Sequence, residues 1–258
     1  MIFLKKVLKK IKTSIGLIIS RKRIYRIPYS IKRLGTEYGG WFVAIDKLNQ
    51  KKIISCGAGE DISFDIEIAG LYKCIVLIVD PTPRAKEHFQ KVLKRVGEKN
   101  RVKFDCYGNQ DPESYDLKNV DKKQLIFVDK ALWNKEKKLK FFSPKNEKNV
   151  SHSIINFQNN YSKNTKYIYV NSITLNQLLI KFFDKDQIPE ILKLDIEGAE
   201  HEVILNMIEN NIYPNQILVE FDELQKGTLR SFKRFRFTSS LLEKNGYSVG
   251  IVTRGHGR

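Results

Sequence analysis

Residues Ile191–Ile204, ILKLDIEGAEHEVI, constrain this chain more than any other stretch. Ile191, Leu192 and Leu194 form an apolar run that stops abruptly at Asp195, within a cluster of acids that includes Glu197, Glu200 and Glu202. Gly198-Ala199 interrupts the acids, and Val203, Ile204, Met207 and Ile208 then recur at helical spacing. This pattern predicts a buried parallel strand, a crossing, and an amphipathic helix that packs back on the sheet. In open α/β sheets ligands bind beyond the carboxyl ends of the strands, which is where Asp195 falls. Acids also favour a helix N-terminus through its dipole, so the acids alone fit a solvated helix start equally well.

A second strand–turn–helix lies upstream. Ile53 and Ile54 begin a short buried run that breaks at Gly57-Ala58-Gly59. Past the glycines, Ile62, Phe64, Ile66 and Ile68 alternate like a strand but are also i,i+4 helical neighbours. The glycine turn selects a helix covered on two sides. Glycines between a strand and a helix let the backbone approach a nucleotide-like ligand closely. Cys74–Val79 is then a continuous apolar strand ending at Asp80, about 20 residues past the glycines, the spacing of an acid that accepts from ribose hydroxyls. Pro81 keeps Asp80 extended, and Thr82 with Pro83 starts the next helix. A plain βαβ unit whose Asp80 only closes a turn has the same outline.

The chain continues with an irregular stretch to Lys123 and a strand over Leu125–Val128 that ends in Asp129-Lys130-Ala131. A short partner strand is expected at Lys140–Phe142, another strand at Tyr167–Val170 and a helix at Thr174–Phe183. His152 stands in a long polar loop, where an imidazole is a candidate acid or base. Gln216–Phe221 predicts a further strand, followed by a helix with Arg230, Lys233, Arg234 and Arg236, then a last strand at Tyr247–Val252. Tyr38 and Trp41 flank Gly39-Gly40, which suits either a loop pressed on a flat ligand or a tight turn under a packed Trp.

The net charge is +17, and eleven Lys and Arg precede the first acid, Glu37, so the body is only mildly basic. Residues 2–19 place Phe3, Leu4, Val7, Leu8, Ile11, Ile15 and Ile18 on one helical face, with lysines on the other. Such a basic amphipathic helix suits an anionic membrane interface, though its apolar face can equally dock on protein. It is too short and too charged to span a bilayer. The division expected is an arm over 1–33 and one domain over 34–258. Cys56, Cys74 and Cys106 form no CxxC pair, which fits a reducing cytoplasm. Four scattered histidines give no zinc-ligand spacing, and no metal is expected.

With these pieces placed, the chain resembles the FkbM-type family of S-adenosylmethionine-dependent methyltransferases. The likeness is most specific at LKLDIEGAE (Leu192–Glu200). It continues in SCGAGEDISFD (Ser55–Asp65), VDPTP (Val79–Pro83), DKALW (Asp129–Trp133) and VNSITLNQLL (Val170–Leu179). It covers roughly Gly35 to Val252. The resemblance implies a class I methyltransferase fold: a Rossmann-like α/β sheet with helices on both faces and an antiparallel last strand. It also implies S-adenosylmethionine as cofactor. Gly57, Ala58 and Gly59 would pass under its methionine end, Asp80 and Pro81 would meet the ribose, and Asp129 and Ala131 would border the adenine. Asp195 would lie beside the transferred methyl, with Glu197 and Gly198 shaping the pocket. Position 55 carries Ser where many enzymes of this class carry an acid; Glu60 or Asp61 is the expected source of that charge.

The activity expected is O-methylation of a hydroxyl on a small molecule, sugar or lipid-linked glycan. An alcohol must lose its proton as the bond forms, so a carboxylate or imidazole is needed within hydrogen-bond reach. Asp195 is the first choice, followed by His152, Glu197 and Glu220. The basic arm and the Arg230–Arg236 cluster raise RNA as another substrate, against which the mildly basic body argues. Ser55 and the arm raise a third option, a non-catalytic scaffold at the inner face of the membrane.

Overall fold

Buried side chains that point alternately to either face of three central strands divide the interior into two layers, and the fold follows from that division. The computed structural model describes residues 28–144, 151–156, 159, 162–184, 187–226 and 228–252. The basic amphipathic stretch expected at residues 2–19 lies outside the described residues. The chain opens with strands β1 (Ile31–Leu34) and β2 (Trp41–Ala44), an antiparallel hairpin. Strand β3 (Lys52–Cys56) follows, then helix α1 (Ser63–Tyr72), β4 (Ile75–Val79), α2 (Pro83–Lys94) and β5 (Leu125–Val128). Next come β6 (Ala131–Leu132), β7 (Lys138–Phe142), β8 (Tyr167–Ile173) and α3 (Leu175–Phe182). The last elements are β9 (Ile191–Leu194), α4 (Glu200–Glu209), β10 (Gln216–Val219) and α5 (Leu229–Lys244).

The central sheet runs β10-β9-β3-β4-β5, and every pairing in it is parallel. The chain winds outward from β3 through β4 to β5, then returns to the other side of β3 to place β9 and β10. Strands β3 and β9 therefore flank the topological switch point, where open α/β sheets bind ligands. Side chains alternate across the sheet. Ile53, Val76, Ile78 and Ile191 pack with Phe64, Ile68, Phe89 and Val92 of α1 and α2. Ile54, Leu77, Leu192 and Leu194 pack on the opposite face with Leu178 of α3 and Val203, Ile204 and Met207 of α4. Helices thus cover both faces, and the α1 segment is buried on two sides as its sequence predicts.

Local sequence sets the ends of these elements. Thr82 Oγ1 accepts from Ala85 N with Pro83 at the first helical position, as expected. Thr174 and Gln177 form a reciprocal capping box at α3. The hairpin is tied to the sheet by Gln216, whose amide accepts from Ala44 N at 2.9 Å and donates to Ala44 O at 3.0 Å.

Two features differ from expectation. Strands β6, β8 and β7 form a separate three-stranded sheet, in which β7 lies antiparallel to β8 along its full length. An antiparallel last strand is not defined among the described residues: residues 247–252 hold one bridge position, at Val249. Ile251 and Val252, whose apolar character suggests a strand, are half exposed and find no face to pack against among the described residues.

Gly57 is the tightest point of the fold. It has φ +83°, and a Cβ built there would stand 1.8 Å from the backbone oxygen of Asp195. Gly97 also has a positive φ, at +97°, but a Cβ there would meet nothing within 4 Å. Gly97→Ala is therefore expected to cost only the backbone strain, about 1 kcal/mol. Gly57→Ala adds a main-chain collision and is expected to cost more than about 3 kcal/mol. Thermal unfolding of the two variants checks the contrast.

Candidate functional site

A cleft opens at the carboxyl ends of β3, β4 and β9, and the turns after those strands build it. Gly57, Ala58 and Gly59 line one side, with Asp80, Pro81 and Thr82 next to them and Ala131 and Leu132 beyond. Asp195, Ile196 and Glu197 line the side belonging to β9. His152 and Ile154 come from the polar loop, Phe141 from β7, and Tyr38 and Gly39 from the hairpin turn.

Of the residues predicted from sequence, Gly57, Ala58, Gly59, Glu60, Asp80, Pro81, Ala131, His152, Asp195 and Glu197 all face this cleft. Asp129 does not. It is half exposed, pairs with Lys86 Nζ at 2.6 Å on the surface, and is not among the residues that line the cleft. The peptide after β5 turns the Asp129 side chain outward and sends Ala131 into the wall instead. Glu220 follows β10 but is not among the lining residues. At the Gly39-Gly40 turn, Tyr38 faces the cleft, while Trp41 packs against the core cluster of α1 and α2.

Asp80 is buried, and its carboxylate clasps the loop. Oδ2 accepts from Ala58 N at 2.9 Å and Gly59 N at 3.0 Å, and Oδ1 accepts from Thr82 N at 2.8 Å and Thr82 Oγ1 at 2.6 Å. A carboxylate offers about four acceptor positions, and the chain itself fills all of them here. A ribose hydroxyl at this acid has to replace a loop amide. Glu60 is held by Arg84, at 2.5 Å. Asp61 accepts from Thr36 Oγ1 at 2.6 Å and from Ser63 N at 3.0 Å.

The acidic side is the most strained part of the cleft. Asp195 N donates to Cys56 O at 3.1 Å, which continues the sheet past the end of β9. Glu197 then takes φ +54°, a region non-glycine residues seldom occupy. Ser153 Oγ donates to Glu197 O at 2.5 Å, and Glu200 Oε1 accepts from Ile196 N at 3.2 Å and Gly198 N at 2.9 Å. The side chain three residues ahead thus ties down the strained turn. Carboxylate oxygens of Asp195, Glu197 and Asp222 lie within 4.8 Å of one another, a spacing compatible with a hard cation.

Crowding of acids alters their proton affinities. Glu200 is fully buried, and burial, with Glu197 and Asp195 nearby, holds its pKa up to about 8. Asp222 is held well above the usual carboxylate range by burial first and then by Glu197, Glu200, Asp195 and Glu220. His201, tilted against the Phe221 ring and bonded through Nδ1 to Thr238 Oγ1 at 2.7 Å, is pushed down to about 4 by burial and by Arg234. His152 stacks on Phe141 with ring planes 8° apart and lies 3.4 Å from Ser143 Oγ.

Sequence reasoning misses two residues at this site. Glu200 reads as a helix-start acid, yet it is wholly buried. Lys193 sits within a strand whose every residue is buried, and it lines the cleft. A lysine inside a four-residue buried strand is the available signal. The Arg230–Arg236 cluster is partly spent within the protein, since Arg234 pairs with Glu223 and, at 3.4 Å, with Glu202.

The fold and the position of the cleft define a Rossmann-like α/β protein with its site at the switch point. A family model described as the methyltransferase FkbM domain matches residues 55–249, and the chain belongs to that family. It is a methyltransferase. No match is found among curated proteins or among solved structures. No helix among the described residues is long and apolar enough to cross a membrane.

Glu200 supplies a pH test. Its pKa is raised from an ordinary 4.5 to about 8, so the native state keeps a proton that the unfolded chain gives up. The contribution to stability is complete below about pH 4.5 and is lost as pH rises to about 8. Glu200→Gln, which keeps the Oε1 acceptor, is expected to unfold with a visibly flatter pH dependence across that window. It should equal or exceed the wild type in stability at pH 8. Urea unfolding at a series of pH values measures both.

Proposed function

We propose that this chain is an S-adenosylmethionine-dependent O-methyltransferase acting on a hydroxyl of a sugar, glycan or other small molecule. The observation that carries this reading is the convergence of two features on one cleft. The glycine loop 57–59 closes one side, and Asp195, Glu197 and His152 stand on the others.

The residues fit the cofactor. Gly57 and Ala58 present little side chain, so an amino-acid end can approach the backbone. Asp80 and Pro81 lie where a ribose would reach, and Ala131 and Leu132 offer an apolar wall for a flat base. When bound, S-adenosylmethionine supplies an electrophilic methyl that requires little chemical activation. What remains is alignment of the acceptor and exclusion of water. Asp195 is the residue proposed to take the acceptor proton, at its carboxylate oxygen. Glu197 and His152 orient the hydroxyl, and Tyr38 and Phe141 narrow the opening. The ion pairs of Arg234 favour a small acceptor over RNA. The protein is proposed to be cytoplasmic, with residues 2–19 as a peripheral contact to the inner face of the membrane.

Titration calorimetry with S-adenosylmethionine tests the foundation, and a protein that does not bind it would refute the reading. Asp195→Asn should lower turnover by at least about 100-fold while leaving cofactor affinity within about threefold. A screen of radiolabelled methyl transfer to glycan and polyketide hydroxyls reads the turnover. For the arm, deletion of residues 1–20 should abolish flotation with anionic liposomes. Equal flotation of both forms would remove the membrane contact from the proposal.

A further inference from the structure

Lys193 stands in β9 with only 4% of its surface exposed. Parallel register sets it directly opposite Ser55 of β3, and side-chain alternation turns both toward the face covered by α1. Its Nζ donates to Gly57 O at 2.8 Å, lies 3.4 Å from Cys56 O, and stands 5.4 Å from the Trp41 ring centroid. Two carbonyl dipoles and a ring do not balance a buried ammonium. The acids of the glycine loop are committed elsewhere: Glu60 to Arg84, and Asp61 to Thr36 and Ser63.

Asp65 is the acid on the helix that covers this face. It lies in the first turn of α1, is 1% exposed, and has an oxygen, Oδ1, with no hydrogen-bond partner. Ser55 Oγ, fully buried, also lacks a partner of normal geometry, although it sits near enough to Asp65 to favour the carboxylate. Burial pushes the Asp65 pKa up, and the strongest opposing influence is the charge of Lys193. A carboxylate, a hydroxyl and an ammonium are therefore enclosed together beneath the glycine loop.

We propose that Asp65 is the counter-charge of Lys193, and that the pair positions the glycine loop by holding the Gly57 carbonyl on the buried ammonium. The effect on binding rests on the reading of residues 57–59 as a cofactor loop; the pairing itself does not. Asp65 and Lys193 act here as positioning residues. Asp65 keeps the ammonium aimed at the loop, and the loop in turn keeps the shape its ligand meets. A neutral residue at 65 would leave a buried cation that escapes toward the cleft, which frees the Gly57 carbonyl.

Five proteins test this by thermal unfolding and by calorimetry with S-adenosylmethionine: wild type, Asp65→Asn, Lys193→Met, the double variant Asp65→Asn/Lys193→Met, and Ser55→Asp/Asp65→Ser. The last moves the carboxylate across to the residue that faces Lys193. Asp65→Asn should lower the melting temperature and weaken binding by at least about tenfold. Adding Asp65→Asn to Lys193→Met should lower the melting temperature little further. The relocated carboxylate should bring affinity back to within about threefold of wild type. Additive melting-temperature losses would overturn the pairing, as would a folded relocation variant that binds no better than Asp65→Asn. Should Asp65→Asn not fold, folding and binding by the relocation variant support the proposal, and its failure refutes it. If the wild type binds no S-adenosylmethionine, the proposed function fails, while the melting-temperature cycle still decides the pairing.

Discussion

The approach of Gly57 to the main chain of Asp195 is the constraint on which the site depends. Strands β3 and β9 lie side by side up to Cys56 and Leu194, and the bond from Asp195 N to Cys56 O carries the pairing one residue further. At that point both chains must turn away, and neither has room for a side chain between them. Glycine at 57 lets the β3 loop fold over toward Asp80. Asp195 is then left facing the opening rather than the sheet. The acid and the glycine loop share one cleft because their backbones touch.

Polar groups buried beneath the loops then hold this junction. Asp80 gathers Ala58 N, Gly59 N and Thr82, which binds the first turn to the second. Glu200 gathers Ile196 N and Gly198 N, which steadies the unusual conformation of Glu197. In both cases a carboxyl group replaces secondary structure where the main chain would otherwise leave buried amides unpaired. The site is shaped as much by these inward acids as by the residues that face solvent.

Much of the fold is legible in the sequence because its strongest signals are periodic. Apolar runs ending in Asp80, Asp129 and Asp195 mark strand ends, and Thr82-Pro83 marks a helix start. The ambiguous alternation of Ile62, Phe64, Ile66 and Ile68 resolves as a helix because it is covered on both sides. Other features carry no periodic signal. The outward turn of Asp129 depends on the path of one peptide and on Lys86, which is distant in sequence. The burial of Glu200 depends on a loop bonding back to its side chain, so a composition that looks like a solvated helix start is misleading. The last strand is not defined among the described residues, where Ile251 and Val252 are apolar yet half exposed. Sequence pattern reports which side chains want burial, not whether a surface exists to receive them.

The hairpin has a consequence for how the protein is divided. The family match begins at Ser55, so β1 and β2 fall outside it, yet Tyr38 and Gly39 complete the cleft. Tyr38 also packs on the irregular loop before β5: a Cβ on Gly108 would stand 2.4 Å from its ring. A fragment trimmed to the matched span would lose one side of its opening and uncover Gly108. The body covered by the family match and one wall of its opening thus come from different stretches of chain, joined only by folding.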